Sequence, residues 1–253
     1  MEAELEPRAP GGVTPAPSAV ADRAARIVAV AREIINETGD FDLPMRTLAT
    51  RAQVSLRTPY QLFASKSGVI GAVLLADQQA FRQETLQLRS TDELENLIDR
   101  VEIGIKFFSR NQPFYRALYR ATQAYTPGHT EEPAREVSRS FQILSRRASQ
   151  AGLLRSEIDP VMMGETLTDI FASNVQTWAR DSFDINLVYL RIGFGFAIVL
   201  AGAATEPAAK RMRRRIVEFQ KALKRAGQSG APSEGIPKSR LAAPGRAAGS
   251  KKR

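Results

Sequence analysis

The feature that most constrains the fold is a set of short apolar helical patterns joined by a tight turn, within residues 23–69. The first pattern has the i, i+3, i+4, i+7, i+8 spacing that lines one face of a helix. Its members are Ile27, Val30, Ala31, Ile34 and Ile35. Gly39 follows this pattern, and glycine readily adopts the left-handed conformation found just beyond a helix C-terminus. The sequence therefore predicts a first helix that ends before Gly39.

Two further short helices are predicted after Gly39. Pro44 suits the first helical turn, because the amide hydrogen that proline lacks would have no partner there. The inner face of this second helix is predicted to consist of Met45, Leu48, Ala49 and Ala52. A tight turn through Gln53 and Val54 then leads to a third helix that begins near Ser55. Two short helices in this arrangement form a helix-turn-helix, which places its second helix in the major groove of DNA.

The sequence over residues 45–66 resembles the N-terminal pattern of TetR-family transcriptional regulators. That pattern has apolar-Arg-x-[Ile/Leu]-Ala-x-x-Ala-Gly-Val-Ser at the turn, followed by Thr-[apolar]-Tyr-x-[Tyr/His]-Phe-x-[Ser/Asn]-Lys. This chain has Met-Arg-Thr-Leu-Ala-Thr-Arg-Ala-Gln-Val-Ser, then Thr-Pro-Tyr-Gln-Leu-Phe-Ala-Ser-Lys. The positions fall in register without a gap, and together with the preceding helix and Gly39 the match covers about the first fifth of the chain after the leader.

Three positions depart from the family pattern. Gln53 replaces the turn glycine, which is tolerated if this position does not need a positive φ. Leu62 replaces an aromatic residue or histidine that often touches the DNA backbone. Pro59 disturbs the first helical hydrogen bond if Ser55 caps the third helix, but sits at a permitted first position if Thr58 caps it. A shortened or locally distorted recognition helix is expected.

The resemblance implies an all-α protein with a three-helix DNA-binding domain followed by a helical domain for effector binding and dimerisation. The sequence itself also favours an all-α fold, since turn signals separate helical patterns and no alternating strand pattern is found. The expected organisation is a disordered leader over residues 1–20, a helix-turn-helix domain over 21–67, an effector-binding and dimerisation domain over 68–226, and a basic disordered tail over 227–253.

The resemblance further implies a homodimer that binds double-stranded DNA at a palindromic operator. In this interpretation the protein is a repressor that a small apolar effector releases from the operator. The effector does so by favouring a dimer whose recognition helices are wrongly spaced for the two half-sites. Tyr60 and Lys66 match family positions that hold the DNA backbone. The complete set of candidate DNA contacts is Arg46, Thr47, Ser55, Arg57, Thr58, Tyr60, Gln61 and Lys66.

Aromatic residues at helical spacing in the second domain have two interpretations. Such residues most often form plain core, whereas the resemblance implies an apolar effector cavity with a few polar groups that orient the ligand. The candidate ligand-binding residues are Phe107, Phe108, Phe114, Tyr115, Tyr119, Phe171 and Trp178. Tyr115, Tyr119, Gln123, Asn174 and Gln176 are the candidate polar groups. The sequence does not identify the effector.

Residues 192–204 form a continuous apolar run. It is shorter than the roughly 20 residues that a transmembrane helix needs, and Arg191 precedes it directly. Its small residues permit close helix approach; they are Gly193, Gly195, Ala197, Ala201 and Gly202. The resemblance implies that the last two long helices form a four-helix bundle across the dimer. A buried interface is therefore expected here, and no membrane partner.

The positive charge of the chain is concentrated at its C-terminal end. The net charge is +9 overall, but residues 205–253 carry +11 and the remainder −2. A last amphipathic helix is predicted, with Met212, Ile216, Phe219 and Leu223 facing inward. The Pro/Gly/Ala/Ser-rich run after it has two interpretations, a solvated basic tail or a tail that adds non-specific affinity for DNA.

The sequence argues against several classes of enzyme. It has no cysteine, which excludes disulfides, thiol nucleophiles and cysteine zinc sites, and it has no glycine-rich phosphate loop. No cofactor or metal is expected, and the leader lacks a secretory signal, so a cytoplasmic regulator is predicted. Two alternatives stay open. One is a helical enzyme that uses His129 or the Glu165/Asp169 pair, and the other is an adaptor that binds protein through the small-residue helix.

Overall fold

The computed structural model describes residues 17–85, 91–124, 131–181 and 183–229. These residues form α-helices, and the strand-like pairing among them is an isolated antiparallel bridge between Leu154 and Ala204. The all-α prediction is confirmed. The helices are α1 Pro17–Thr38, α2 Met45–Arg51, α3 Arg57–Phe63, α4 Lys66–Thr85, α5 Glu93–Ser109, α6 Gln112–Ala124, α7 Glu131–Gln150, α8 Pro160–Arg180, α9 Ile185–Ala203 and α10 Ala208–Ser229.

Two compact units share these helices. The described part of the first unit comprises α1 to Ile34 and the segment Leu43–Val73, so it contains α2, α3 and the start of α4. The second unit comprises Ile35–Asp42 and the described residues from Leu74 onward. The division therefore falls within α4, rather than at residue 67. Helix α1 begins at Pro17, inside the expected leader, and α10 continues to Ser229, inside the expected tail. Residues 1–16 and 230–253 lie outside the described residues.

The first unit is built around the predicted apolar stripe of α1. Ile27 and Ala31 are fully buried, as are Leu48 and Ala52 of the helix-turn-helix. An ion pair between Arg51 and Glu33 (3.3 Å) links α2 to α1, although exposed pairs of this kind contribute little stability. Burial of the apolar faces is thus the main force that holds these short helices together.

Helix ends in the chain follow the expected chemistry at several points. Gly39 has φ +64°, and its amide donates to the carbonyl of Ile35 (2.9 Å), as predicted for the end of α1. The carboxylate of Asp159 accepts from the amide of Val161 (2.7 Å), and that of Asp184 accepts from Asn186 (2.9 Å). These carboxylates cap α8 and α9, and each such cap stabilises its helix by about 1 kcal/mol.

The second unit is a helical bundle in which α9 is central. Helix α10 packs along α9, α7 packs on α8, and α5 lies against both α7 and α9. Met212 and Phe219 of α10 are buried, and Ile216 and Leu223 are half-buried, in agreement with the predicted inner face. The α7–α8 and α9–α10 connections are joined by backbone hydrogen bonds from Arg155 to Ala203 and from Thr205 to Leu153.

The apolar run in α9 is covered in part by this chain's own helices. A β-carbon added to Gly193 would lie 2.4 Å from the ring of Phe219, so this glycine admits α10 against α9. A β-carbon on Gly195 would lie 3.1 Å from Ile170 of α8. The small residues thus serve close helix approach within one chain at both positions. In the described part of the chain, α9 is the one helix long and apolar enough to cross a membrane, and half of its apolar window is buried, as in a core helix.

Candidate DNA-binding surface and aromatic core

The turn between α2 and α3 is closed by backbone hydrogen bonds. The amide of Val54 donates to Ala49 (3.0 Å) and the amide of Gln53 donates to Thr50 (3.1 Å), which is the Schellman arrangement at a helix C-terminus. Gln53 has φ +53°. The condition under which glutamine replaces the turn glycine without strain is therefore not met. A left-handed conformation at a residue with a β-carbon costs about 1 kcal/mol, and glutamine bears that cost here.

Helix α3 begins at Arg57, between the starts that a Ser55 cap and a Thr58 cap predict. Its N-cap residue is Leu56, which makes no side-chain capping hydrogen bond. The hydroxyls of Ser55 and Thr58 instead bond to each other (2.9 Å). Pro59 is the third helical residue, where amide hydrogens have no intrahelical acceptor, so it removes no helical bond. Both capping alternatives are wrong, but the expected short helix is found, since α3 has seven residues.

Helix α3 divides into an apolar side and a polar side. Pro59 is buried, and Leu62 and Phe63 are half-buried. Thr58 and Lys66 are also half-buried. The other six candidate DNA contacts are exposed to solvent: Arg46, Thr47, Ser55, Arg57, Tyr60 and Gln61. The structure thus gives these polar side chains an accessible face on α2, the turn and α3.

The connection from α3 to α4 is unusually tight. Ala64 has φ +64° and ψ −35°, and the amide of Ser65 donates to Phe63 (2.7 Å), which closes a γ-turn of the strained type. The hydroxyl of Ser65 then accepts from the amide of Gly68 (3.0 Å) and caps α4. Positive φ at Ala64 could not be predicted from the sequence, because alanine does not favour this conformation.

Most of the predicted ligand residues meet in an aromatic cluster inside the second unit. Phe108 is central, with ring centroids at 4.5 Å from Tyr115, 5.7 Å from Tyr119 and 6.3 Å from Phe171. Phe107 joins through Tyr115 (5.8 Å). Two rings that the sequence analysis did not include also belong to the cluster: Phe81, at 5.0 Å from Phe107, and Phe141, at 5.8 Å from Phe171.

Phe114 and Trp178 have packing roles beside the cluster. Phe114 stacks between Tyr115 (5.2 Å) and Phe41 (5.7 Å). Trp178 is fully buried, and the guanidinium of Arg116 lies 4.5 Å from its ring. Arg116 also donates to the carbonyl of Trp178 (2.8 Å) and to two carbonyls that follow it. Arg116 thus closes the C-terminal end of α8, as a basic side chain does favourably at that end.

Polar groups are also buried in the cluster. The hydroxyl of Tyr115 donates to the carboxylate of Asp77 at 2.8 and 3.0 Å. Arg100 is 7 % exposed, and burial lowers the pKa of its guanidinium to about 10, which leaves it charged near neutral pH. Burial raises the pKa of the Tyr119 hydroxyl. The available signal for Arg100 was a charged residue among the apolar positions of α5, four residues before Gly104.

An acidic group lies where α5 meets α10. Burial, and then the neighbouring charges of Glu95 and Glu102, raise the pKa of Asp99 to about 6. Arg215 of α10 forms an ion pair with Glu95 (3.4 Å). Arg211 forms another with Asp92 (2.7 Å). The basic face of α10 is therefore used in part within the bundle.

The acidic pair named for the enzyme alternative lies on the surface of the described part of the chain. Glu165 and Asp169 are exposed on α8, and Glu165 accepts a long hydrogen bond from Gln142 (3.5 Å). His129 lies outside the described residues. No group of three His, Asp or Glu suited to a metal occurs within the described ranges.

Comparisons with solved structures identify the fold. No protein-family model and no curated protein matches the sequence. A TetR-family transcriptional regulator from Pectobacterium atrosepticum superposes with a TM-score of 0.62 at 20 % identity, over 76 % of this chain and all of that one. SmeT, the repressor of the Stenotrophomonas maltophilia efflux pump SmeDEF, gives 0.59 at 17 % identity, over 73 % and 92 %. A gamma-butyrolactone receptor gives 0.53 at 15 % identity, over 82 % and 98 %. This chain has the all-α fold of TetR-family transcriptional regulators.

Proposed function

We propose that the protein is a DNA-binding transcriptional regulator of the TetR family, in which α3 enters the major groove. The observation that carries this proposal is the exposed polar face of α3, with Arg57, Tyr60 and Gln61 opposite the buried Pro59. The fold supports it, since similar structures are described as transcriptional regulators.

The candidate contacts are assigned by position. Arg57 and Gln61 are the side chains best suited to base edges, because arginine and glutamine pair with guanine and adenine in the major groove. Tyr60 and Lys66 are assigned to the DNA backbone, where contacts fix position rather than sequence. Arg46, Thr47, Ser55 and Thr58 complete the surface as neighbouring base-edge or phosphate contacts.

The proposed assembly is a two-fold homodimer through α8 and α9. Met162 is 66 % exposed and Ile198 is 47 % exposed, although both are large apolar residues. An open depression of about 380 Å³ lies between the helices, lined in part by Met162, Val199 and Gly202. A self-complementary contact covers such a surface with one patch on each subunit. The dimer then presents two recognition helices to a palindromic operator.

The proposed regulator is a repressor that responds to a small, largely apolar effector bound at the aromatic cluster. The cluster supplies the ring faces, and Tyr115 and Tyr119 supply hydroxyls that can orient a ligand. Binding acts by favouring the dimer geometry that does not fit the operator, which requires different affinities in the two states. The protein is proposed to act in the cytoplasm without a metal or cofactor.

Selection of bound sequences from a random DNA duplex pool tests this function directly. The expected result is enrichment of a palindrome whose half-sites are centred about 10 base pairs, or a multiple of that spacing, apart. Arg57→Ala is expected to relax sequence preference at one position of each half-site. Lys210→Ala, which removes an exposed cation on α10, serves as the control. A pool with no enriched sequence would contradict the proposal and favour the adaptor or enzyme alternative.

A further inference from the structure

Arg100 is a buried cation without an ion pair in the described part of the chain. It lies on α5 and is 7 % exposed. The nearby carboxylate of Glu136 acts on its pKa, but pairs with Arg139 (3.1 Å). Taking an unpaired charge out of water is costly, and apolar replacements of buried charges are often neutral or stabilising. The core of this unit therefore gains no evident stability from a guanidinium at this position.

The guanidinium of Arg100 is held in one orientation. It lies over the ring of Phe81, with 4.3 Å between the central carbon of the group and the ring centroid. Its Nε donates to the hydroxyl of Ser140 (2.9 Å). This arrangement fixes the plane of the fork and leaves the donors of Nη1 and Nη2 for another acceptor. Two parallel donors in one plane match the two oxygens of a carboxylate.

Gly104 lies beside this fork and carries no side chain. A β-carbon placed on Gly104 would lie 4.0 Å from Nη1 of Arg100, 3.8 Å from Phe81 and 3.9 Å from Phe171. A side chain at this position would therefore meet the guanidinium and both rings. Residues 100 and 104 are one helical turn apart, so both face the same way on α5.

We infer that the protein binds an amphipathic organic acid, with the carboxylate on Arg100 beside Gly104 and an alkyl or aryl body against Phe81, Phe108 and Phe171. This inference rests on the proposed function, because it names the chemical class of the effector. A carboxylate supplies the charge that Arg100 lacks, and the rings of the cluster cover the apolar body. Desolvation strengthens the ion pair in such a site, where the charges are screened less than at the surface.

The test compares matched acids and amides of the same hydrocarbon with the full-length protein in the absence of DNA. The pairs are octanoate and octanamide, decanoate and decanamide, and 2-naphthoate and 2-naphthamide. Calorimetric titration gives the affinities, and thermal unfolding gives an independent measure of binding. At least one acid is expected to bind about tenfold or more tightly than its amide, as for a hydrogen bond to a charged group in place of a neutral one. Equal binding of acid and amide, or no binding by any acid, would overturn the inference.

Variants at Arg100 separate ligand binding from packing. Arg100→Gln is expected to lose at least tenfold in affinity for the acid and less than threefold for the amide. Arg100→Met keeps the apolar stem and is expected to unfold at or above the wild-type Tm. Its affinity for the acid is expected to fall as in Arg100→Gln. Arg155→Gln removes an exposed arginine of the same unit and is expected to leave both affinities unchanged. Wild-type affinity for the acid in both Arg100 variants would overturn the inference.

A separate measurement distinguishes this inference from the proposed function. The bound acid is added to the complex of protein and selected operator. Release of the operator by the acid supports both the Arg100 binding site and the proposed function. If the acid binds the free protein but does not release the selected operator, Arg100 still forms a binding site for the acid. That result would contradict the role of the acid as an effector. If no operator can be selected, the proposed function is contradicted. The titration with acids then still determines whether Arg100 binds a carboxylate.

Discussion

The carbonyl oxygen of Phe63 occupies the place where a side chain at Gly68 would begin. A β-carbon on Gly68 would lie 1.9 Å from that oxygen, far inside van der Waals contact. The close approach follows from the γ-turn at Ala64 and from the cap that Ser65 gives to α4. Gly68 therefore couples the end of the proposed recognition helix to the start of α4.

Replacing Gly68 by alanine is expected to destabilise the DNA-binding unit by about 2 kcal/mol, because the overlap forces backbone movement in the turn. Gly71→Ala is the matched control on the same helix, since a β-carbon there meets nothing within 4 Å. The control is expected to gain up to about 1 kcal/mol from helix propensity. Urea unfolding measures both, and equal stability of the two variants would show that the turn relaxes freely.

Gln53→Gly is expected to stabilise the protein by about 0.5–1 kcal/mol. The residue has φ +53°, and glycine removes the steric cost of this conformation. The gain is partly offset because glycine also raises the conformational entropy of the unfolded chain. Thr50→Gly, within α2, is the control and is expected to lose about 0.3 kcal/mol, since glycine is a slightly poorer helix former than threonine. A lower unfolding midpoint for Gln53→Gly would mean that contacts of the glutamine side chain outweigh the backbone strain.

The sequence predicted those features that depend on residue type and failed where backbone geometry decides. The glycine after α1 was identified as a helix end because glycine readily adopts a positive φ, which Gly39 has. Gln53 and Ala64 were not identified as left-handed residues, since neither type favours that conformation. Leu56 was not identified as an N-cap because it offers no side-chain acceptor. The turns around α3 are set by hydrogen bonds between backbone groups, which leave no mark in the sequence.

Burial patterns were predicted better than the partners of each buried surface. The inner face of α10 followed from helical spacing, but nothing in the sequence indicated that Phe219 lies over Gly193. The aromatic residues of α5 and α6 were recognised, whereas Phe81 and Phe141 were not, because they come from distant segments. Arg100 was missed since one charged residue on an apolar face usually extends to the surface.

Lys66→Ala is expected to weaken binding to operator and to unrelated DNA by similar factors. Lys66 is the first residue of α4 and is half-buried, so its ammonium is proposed to hold one phosphate. The slope of log affinity against log salt concentration should fall by about one unit, as for the loss of one phosphate contact. Lys210→Ala should leave the slope unchanged. Loss of operator binding with an unchanged slope would contradict the phosphate assignment.

Asp99→Asn is expected to stabilise the protein above neutral pH. The folded-state pKa of Asp99 is about 6, above the value of about 3.9 in an unfolded chain. The folded state therefore holds the proton more tightly, and stability that depends on this group is present at low pH and lost as pH rises through 6. Because Asp99 is half-buried and screened by solvent, the expected gain at pH 7.5 is about 1 kcal/mol.

The pH dependence distinguishes this effect from a change in packing. The difference in unfolding free energy between Asp99→Asn and the wild type should become small near pH 4, where Asp99 is protonated in the folded state. Asp169→Asn, at an exposed position of α8, is the control and should show no such trend. A constant difference from pH 4 to 8 would point to packing rather than to the charge.

Gly202→Arg is expected to abolish the proposed dimer without unfolding the subunit. Gly202 is exposed, and a β-carbon there meets nothing within 4 Å, so one chain accommodates the larger side chain. In the proposed two-fold contact the same substitution places a charge against an apolar surface from both sides. Operator affinity should fall by at least tenfold, since a monomer presents one recognition helix instead of two.

Gly195→Arg gives a different outcome and provides the comparison. A β-carbon at this position would lie 3.1 Å from Ile170 of the same chain, so the substitution disturbs the packing of α9 on α8 as well as any dimer. Analytical ultracentrifugation, thermal unfolding and operator titration together separate the two cases. Gly202→Arg should give a monomer with nearly native Tm, whereas Gly195→Arg should lower the Tm. A native dimer of Gly202→Arg would move the subunit interface away from the end of α9, and a monomer with full operator affinity would contradict the dependence of DNA binding on the dimer.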